Sequence, residues 1–576
     1  MLFIKHFLLK TILSPRKLFY ATKEFTLWRK LFVAFLILVI VGTSFWWVIS
    51  VYRHFTVLEP TYGGQYIEAI VGQPRYINPF LSRSSSDQDL TKLIFNGLFS
   101  YDENGILRPD IADRFEISDD AKEFTVFLRQ NVFWHDGEQF NADDVIFTTS
   151  IAKDIKYGAV GVSSEMRLLW QNVKVEKIDD FTVKFVLEEP NSLFLHSLNF
   201  GVIPEHIWSS VSPEQFQLAE YNQKPIGTGP YEFVDIDINE DKDLIDSYTF
   251  RSYKKYHKGE PYITKFVINF YGTRLDAIGA YSRGEVSAVA VDQKDHVAAI
   301  SDGAQKQMIA LPHYFAVFFN QTKSVPLAYD EVREALSRAT DRDKIVAEVF
   351  GDGAAVRYSP FAEGFVGYDS EQQQVSFDPE SAKVLLEEKG WKVEEDGIRA
   401  KDDDRLSILL HVSGSHGQFI KIAQMLKEQW KEVGVELNVQ EHEKGDLESN
   451  ILKPRDYDAV LYAHQMRFEP NLLPLWHAEE KRDPGVNYAL FDDEDMNAFL
   501  ENVLKTKKED EQKDFYKKQQ EKLKSEVPAV FLFAPKISFM HSDAIKGMSV
   551  KNVNSSRDRY VDVNSWYIKE KRIKKQ

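Results

Sequence analysis

Ser407-Ile-Leu-Leu-His-Val412 is a short apolar run with the length of a strand. Gln418 to Val433 follows with apolar residues at helical spacing, Gly434 stops it, and Val435-Glu-Leu-Asn-Val-Gln440 starts a second strand. A strand, a helix and a strand in such close succession imply a parallel pair joined by a right-handed crossover. Working outward, Asp378 is a good N-cap with Pro379 at the first helical position, and Gly390 sits where that helix should stop. Downstream, a single long helix is expected over Asp495 to Lys524, ending before Val527-Pro528, and Ala529 to Ala534 reads as an apolar strand. The part from Asp330 onward therefore predicts an α/β lobe.

Upstream the period changes. Phe124 to Arg129 and Phe181 to Glu188 alternate apolar with more polar positions, and Ile263 to Tyr271 places Phe266, Ile268 and Phe270 on one face. The stretch from Gln65 to Phe319 is thus expected to be rich in sheet. A chain of 576 residues with 43% apolar content is long enough for several cores, and it shows no repeat and no low-complexity linker. Two lobes joined by crossing segments, with a cleft between them, fit this order.

The first thirty residues carry seven basic side chains against the single acid Glu24, and Leu31 to Val51 then runs without a charge. That run is long enough to cross a bilayer as one helix. Trp28 on one side and Trp46, Trp47 and Tyr52 on the other resemble interfacial belts, and the basic excess precedes the helix. The expectation is a cytoplasmic tail over 1–30, a transmembrane helix over 31–52 and an exported remainder. A cleaved signal peptide would have a shorter apolar region and a small-residue cleavage site, whereas this one continues into Tyr52-Arg-His-Phe55. No cysteine is present to carry a lipid tether.

The net charge is −17, and residues 1–52 hold seven bases and one acid, so removing their +6 leaves −23 on the rest. So acidic a surface argues against nucleic acid as a partner. The basic tail Lys569 to Lys575 is expected to be a solvated end near anionic headgroups.

A search for chemistry finds little. His411-Val-Ser-Gly-Ser-His416-Gly417 lacks the glycine two residues before a serine that a nucleophile elbow requires. Glu441-His442-Glu443 lies on a strand, where successive side chains point to opposite faces and cannot converge on one metal. His135-Asp136-Gly137 is a turn signal, and Gly351-Asp352-Gly353 lacks the lysine of a phosphate loop. No catalytic residue, cofactor site or metal site is predicted. The 41 Phe, 25 Tyr and 10 Trp are mostly core, with a minority available to a binding cleft.

Several segments resemble, in order, the family 5 extracellular solute-binding proteins of bacterial ABC importers. They are Arg75-Tyr-Ile-Asn78-Pro79-Phe, Ile94-Phe-Asn-Gly97-Leu98-Phe and Leu107-Arg-Pro109-Asp-Ile-Ala112-Asp, then Phe124 through Trp134-His-Asp136-Gly137 to Val145. Gly227-Thr-Gly229-Pro230-Tyr231, Gly284-Glu285, Val332-Arg333-Glu-Ala335-Leu336 and Ala339-Thr-Asp341-Arg342 continue the likeness, which covers nearly all of 62–568.

The resemblance implies an α/β, type II periplasmic-binding-protein fold: two lobes, an inserted subdomain and a cleft, preceded here by one transmembrane helix. It implies the first lobe and its β-rich insert over 60–312, the second lobe over 313–534 and a return over 535–576. It implies capture of oligopeptides or peptide-like solutes by hinge closure, delivery to an ABC permease with its ATPase subunits, and a monomeric ectodomain held at the cell membrane. An oligosaccharide or metal chelate as ligand, a membrane-anchored sensor and an extracellular hydrolase are the rivals.

In peptide-binding branches of the family, an Asp four residues before a Pro pairs with the ligand's amino terminus. Here Met466 stands at that place before Pro470, in the loop His464-Gln465-Met466-Arg467-Phe-Glu469. Glu469 is the candidate substitute. Gln73, before Asn78-Pro79, and Asp292, after Gly284-Glu285, are the remaining candidates for ligand contact.

Overall fold

The computed structural model describes residues 26–291, 305–311, 313–361, 365, 367–369, 376–415, 417–466, 471–550, 553 and 556–575. The chain forms two units, one taking Met1–Thr61 with Lys569–Gln576, the other Tyr62–Ile568.

In the smaller unit, a helix spans Leu27–Phe55. Its segment Leu31–Phe55 is long and apolar enough to cross a membrane, and none of it is buried within the protein. Thr56–Thr61 continues as a strand paired antiparallel with Lys569–Lys574. The basic tail, expected as a solvated end, has exposed and half-buried side chains and is held in this strand pair, where Arg572 also donates from Nη1 to Thr56 Oγ1 at 3.0 Å.

The larger unit is organised by one 12-stranded sheet. Its main path runs Glu436–His442, Ser407–Ser413, Ala459–Gln465, His313–Phe319, Ala529–His541, Ala288–Val291, Gln65–Val71, Lys265–Tyr271, Leu244–Ser252 and Tyr231–Asn239. The pair Ser407–Ser413 and Glu436–His442 is parallel, as the intervening helix Gly417–Glu432 requires.

Ala529–His541 is the strand that belongs to both halves. Its first residues pair with His313–Phe319, and its last with Ala288–Val291 and Gln305–Ala310. The expected strand runs from Ala529 to Ala534 only. In fact the strand passes through Pro535, whose carbonyl accepts from Leu311 N at 3.2 Å. Proline is tolerated there because its neighbours change from one lobe's strands to the other's.

Both faces of the second lobe's sheet are covered. Along His313–Phe319, Val317 and Phe319 enter one core while Tyr314, Ala316 and Phe318 enter another. That explains the unbroken apolar text of this strand. By contrast, the four-stranded sheet inserted in the first lobe buries one face, and Phe124, Val126 and Leu128 alternate inward.

The expected helix Asp495 to Lys524 is in fact two, Glu494–Lys505 and Glu509–Glu526. Thr506 turns extended between them, its Oγ1 donates to Glu511 Oε2 at 2.8 Å, and its carbonyl accepts from Gln512 Nε2 at 2.8 Å. These local bonds compete with the helical ladder.

Candidate functional site: a cationic cavity in the first lobe

Asn78 builds a turn around itself. Its Oδ1 accepts from Phe80 N at 2.9 Å, its carbonyl accepts from Leu81 N and Ser82 N, and its Nδ2 donates to Asn222 Oδ1 at 3.0 Å. The turn delivers Ser82 and Arg83 to the mouth of a cavity of about 410 Å³. Ser84 then caps the helix Ser85–Ile94 through a reciprocal pair with Asp87. Along that helix Leu90, Leu93 and Ile94 face the core, while Gln88, Thr91 and Lys92 line the cavity.

The end of this helix is pressed against Gly227 and Gly229. A Cβ on Gly227 would lie 1.9 Å from Ile94 O, and one on Gly229 would lie 2.4 Å from Leu93 O, so neither position has room for a side chain. Gly229 N also donates to Ile94 O at 2.7 Å. The Gly-Thr-Gly-Pro-Tyr segment thereby fixes the wall that carries Lys92.

Opposite stand Tyr101 and His196, in contact from Oη to Nδ1 at 2.8 Å, and Arg557 with Asp558 from the returning chain. Phe80, Met166 and Phe200 supply apolar wall. Burial pushes the His196 imidazole down to about 4, so it is neutral at pH 7. Burial also lowers the Lys92 ammonium, opposed by Asp558 and Asp110 and reinforced by Arg557 and Lys258. Lys92 Nζ lies 3.9 Å from Asp558 Oδ1, and Arg83 donates from Nη2 to Gly161 O at 2.9 Å. Three cations therefore share these walls with one carboxylate.

The residues singled out in the sequence do not meet here. Gln73 is half-buried with both ends of its amide on the backbone of Ile245, Nε2 to O at 3.1 Å and N to Oε1 at 2.9 Å. It grips a strand where the pairing slips register. His464 is 3% exposed, its Nδ1 contacts Tyr314 Oη at 2.8 Å, and its Nε2 contacts Val486 O at 2.9 Å. Burial drives its pKa down to about 3. Met466, 4% exposed, belongs to the apolar cluster of Tyr314, Phe361, Leu472 and Trp476. The backbone of Gln465 pairs with His313. Asp292, Arg467 and Glu469 lie outside the described residues.

Arg83, Lys92, Tyr101, His196 and Arg557 were not singled out in the sequence. Gln88, Thr91 and Lys92 fall at helical spacing on a face away from Leu90, Leu93 and Ile94, which was a usable signal. For Arg557 there was none.

A smaller cavity of about 130 Å³ borders the crossing strand at Ile537 and is lined by Glu68, Asp89, Arg274 and Arg559. Arg559 donates to Glu68 Oε1 at 2.7 Å and to Asp89 Oδ1 at 2.8 Å, and Tyr66 and Tyr560 both donate to Glu68 Oε2. Charge assistance on every member makes this a fully bonded buried network. Among the described residues, no group of three or more His, Cys, Asp or Glu side chains could hold a metal ion.

Two α/β lobes are crossed by a shared strand, and the first holds a polar cavity in its wall. Residues 107–481 match the family described as bacterial extracellular solute-binding proteins, family 5 (middle), and the chain belongs to that family. It is 25% identical over 531 residues to an oligopeptide-binding protein, AppA, of Bacillus subtilis, covering 88% of this chain and 92% of that one. Among solved structures, HbpA2 from Haemophilus parasuis aligns with a TM-score of 0.77 at 22% identity, over 88% of this chain and all of that one. The Bacillus subtilis AppA structure with a nonapeptide aligns with a TM-score of 0.65 at 22% identity, over 89% of this chain and all of that one. The type II periplasmic-binding-protein fold follows from these alignments.

Proposed function

We propose that this protein captures oligopeptides or peptide-like solutes outside the membrane and passes them to an ABC permease. The observation that carries the reading is the similarity, along nearly the whole chain, to a protein named for binding oligopeptides. The architecture supports it. Gln305–Ala310, His313–Phe319 and Ala529–His541 carry the chain between the lobes, and the bends that close such a cleft would fall near Leu311 and Pro535. The lobes are then 62–312 and 313–534, with 535–568 returning to the first, while 60–61 and 569–576 belong to the smaller unit. Ligand contacts made only in the closed form shift the population toward it, and no bond need be made or broken.

The helix over 31–52 serves as an uncleaved anchor, which places the main domain extracytoplasmically and keeps the receptor close to its permease. The ectodomain works as a monomer.

Native mass spectrometry of the detergent-solubilised protein, gentle and then denaturing, tests the reading. A ladder of short-peptide masses released on unfolding is the expected result. A single sugar or chelate mass would replace the ligand class, and turnover of a labelled peptide library would replace receptor by hydrolase.

A further inference from the structure

We propose that the cationic cavity of the first lobe is a carboxylate subsite that makes the receptor selective for acidic peptides. The inference rests on the peptide-receptor reading and specifies its ligand class. The sign of the charge is the first argument. Outside residues 1–52 the chain carries a net −23, yet Arg83, Lys92 and Arg557 meet in one cavity with Asp558 as the acid among its lining residues. Such a reversal on an acidic protein focuses anions toward the cavity and turns away cationic peptides.

The incomplete engagement of those cations is the second. Arg83 is exposed and spends one donor on the Gly161 carbonyl, which leaves further donors of its fork directed outward. Lys92 is 3.9 Å from its acid, longer than a hydrogen bond, and Arg557 beside it is a like charge. An incoming carboxylate would relieve that repulsion and satisfy both groups. Gln88, Thr91 and Tyr101 add neutral polar groups on the same walls, and Phe80, Met166 and Phe200 can hold the methylene stem of a Glu or Asp side chain.

The test uses the full-length protein in detergent and three hexapeptides of equal length, carrying two Glu, two Gln or two Lys at the same positions. Affinities are read by calorimetry at low and moderate salt. The Glu peptide is expected to bind about tenfold tighter than its Gln isostere, with the gap narrowing as salt rises, and the Lys peptide to bind weakest. In the double variant Arg83→Glu/Arg557→Glu, shown folded by an unchanged thermal transition, the order is expected to invert in favour of the Lys peptide. Equal affinities for the Glu and Gln peptides, or a variant that keeps the original order, would overturn the subsite and leave the receptor reading intact. Binding of no peptide would overturn both.

Discussion

The cavity of the first lobe and the loop end of the second are both places where the chain puts polar residues next to aromatic ones, and they are built on opposite plans. Around Lys92 the walls combine cations and neutral polar groups with apolar Phe80, Met166 and Phe200, and about 410 Å³ lies between them. Around Met466 the space is filled: His464 lies between the rings of Phe318 at 4.6 Å and Tyr488 at 4.9 Å, and both its nitrogens are bonded. The first arrangement has room and unspent charge for a ligand. The second has neither, so its polar groups belong to the core's own hydrogen bonding. Residue type alone does not distinguish a binding wall from a core; free volume and spare donors do.

Met466→Asp puts the contrast at greatest risk. A carboxylate placed in that dry cluster has no partner there, and the protein should lose about 3–5 kcal/mol of stability, read as a fall in the urea midpoint. An unchanged midpoint with tighter peptide binding would mean that the position opens to ligand, and the contrast would fail.

Acid sharpens it next. The imidazole of His464 is held down at about 3, against an ordinary 6.5, so the folded state keeps it neutral while the unfolded chain takes up a proton below pH 6.5. Its contribution is fully present above that pH and is lost as pH falls toward 3, about 2 kcal/mol by pH 5. Comparing unfolding of wild type and His464→Gln from pH 7 to 5 isolates this part; parallel curves would rule it out.

Tyr314→Phe removes the hydroxyl that contacts His464 Nδ1 and should cost about 1–2 kcal/mol, because a buried ring nitrogen is left without a partner. Lys92→Met should move the midpoint least, by about 0.5 kcal/mol or less, since it deletes a weakly paired cation next to a like charge. A large loss there would show that Lys92 braces the lobe and is not held ready for a ligand.

The α/β crossover was legible because its periods are clean: Ser407–Ser413, Gly417–Glu432 and Glu436–His442 fall within a residue or two of the expected bounds. Period two would also have placed Met466 correctly. Counting from Val460, every second residue through Tyr462 and His464 to Met466 turns to the same core, but family likeness directed the reading toward a ligand instead. The break at Thr506 carried no Gly or Pro, and is made by side chains that only the folded turn brings together. The cavity was half-legible, through its helix and not through Arg557, whose neighbours in space lie hundreds of positions away in the chain.

Arg559 has a consequence for the order in which the molecule is made. It joins Glu68 and Asp89 across 491 and 470 residues, whereas the second lobe draws nearly all its strands from one continuous stretch. A chain emerging from its amino terminus can complete that second lobe first. Throughout that time the strand Gln65–Val71 and the helix Ser85–Ile94 hold two carboxylates that still await Arg559, and the lobe begun earliest is closed by residues that arrive after the second lobe's strands. Premature termination a few codons before Arg559 would therefore damage the beginning of the protein rather than its end.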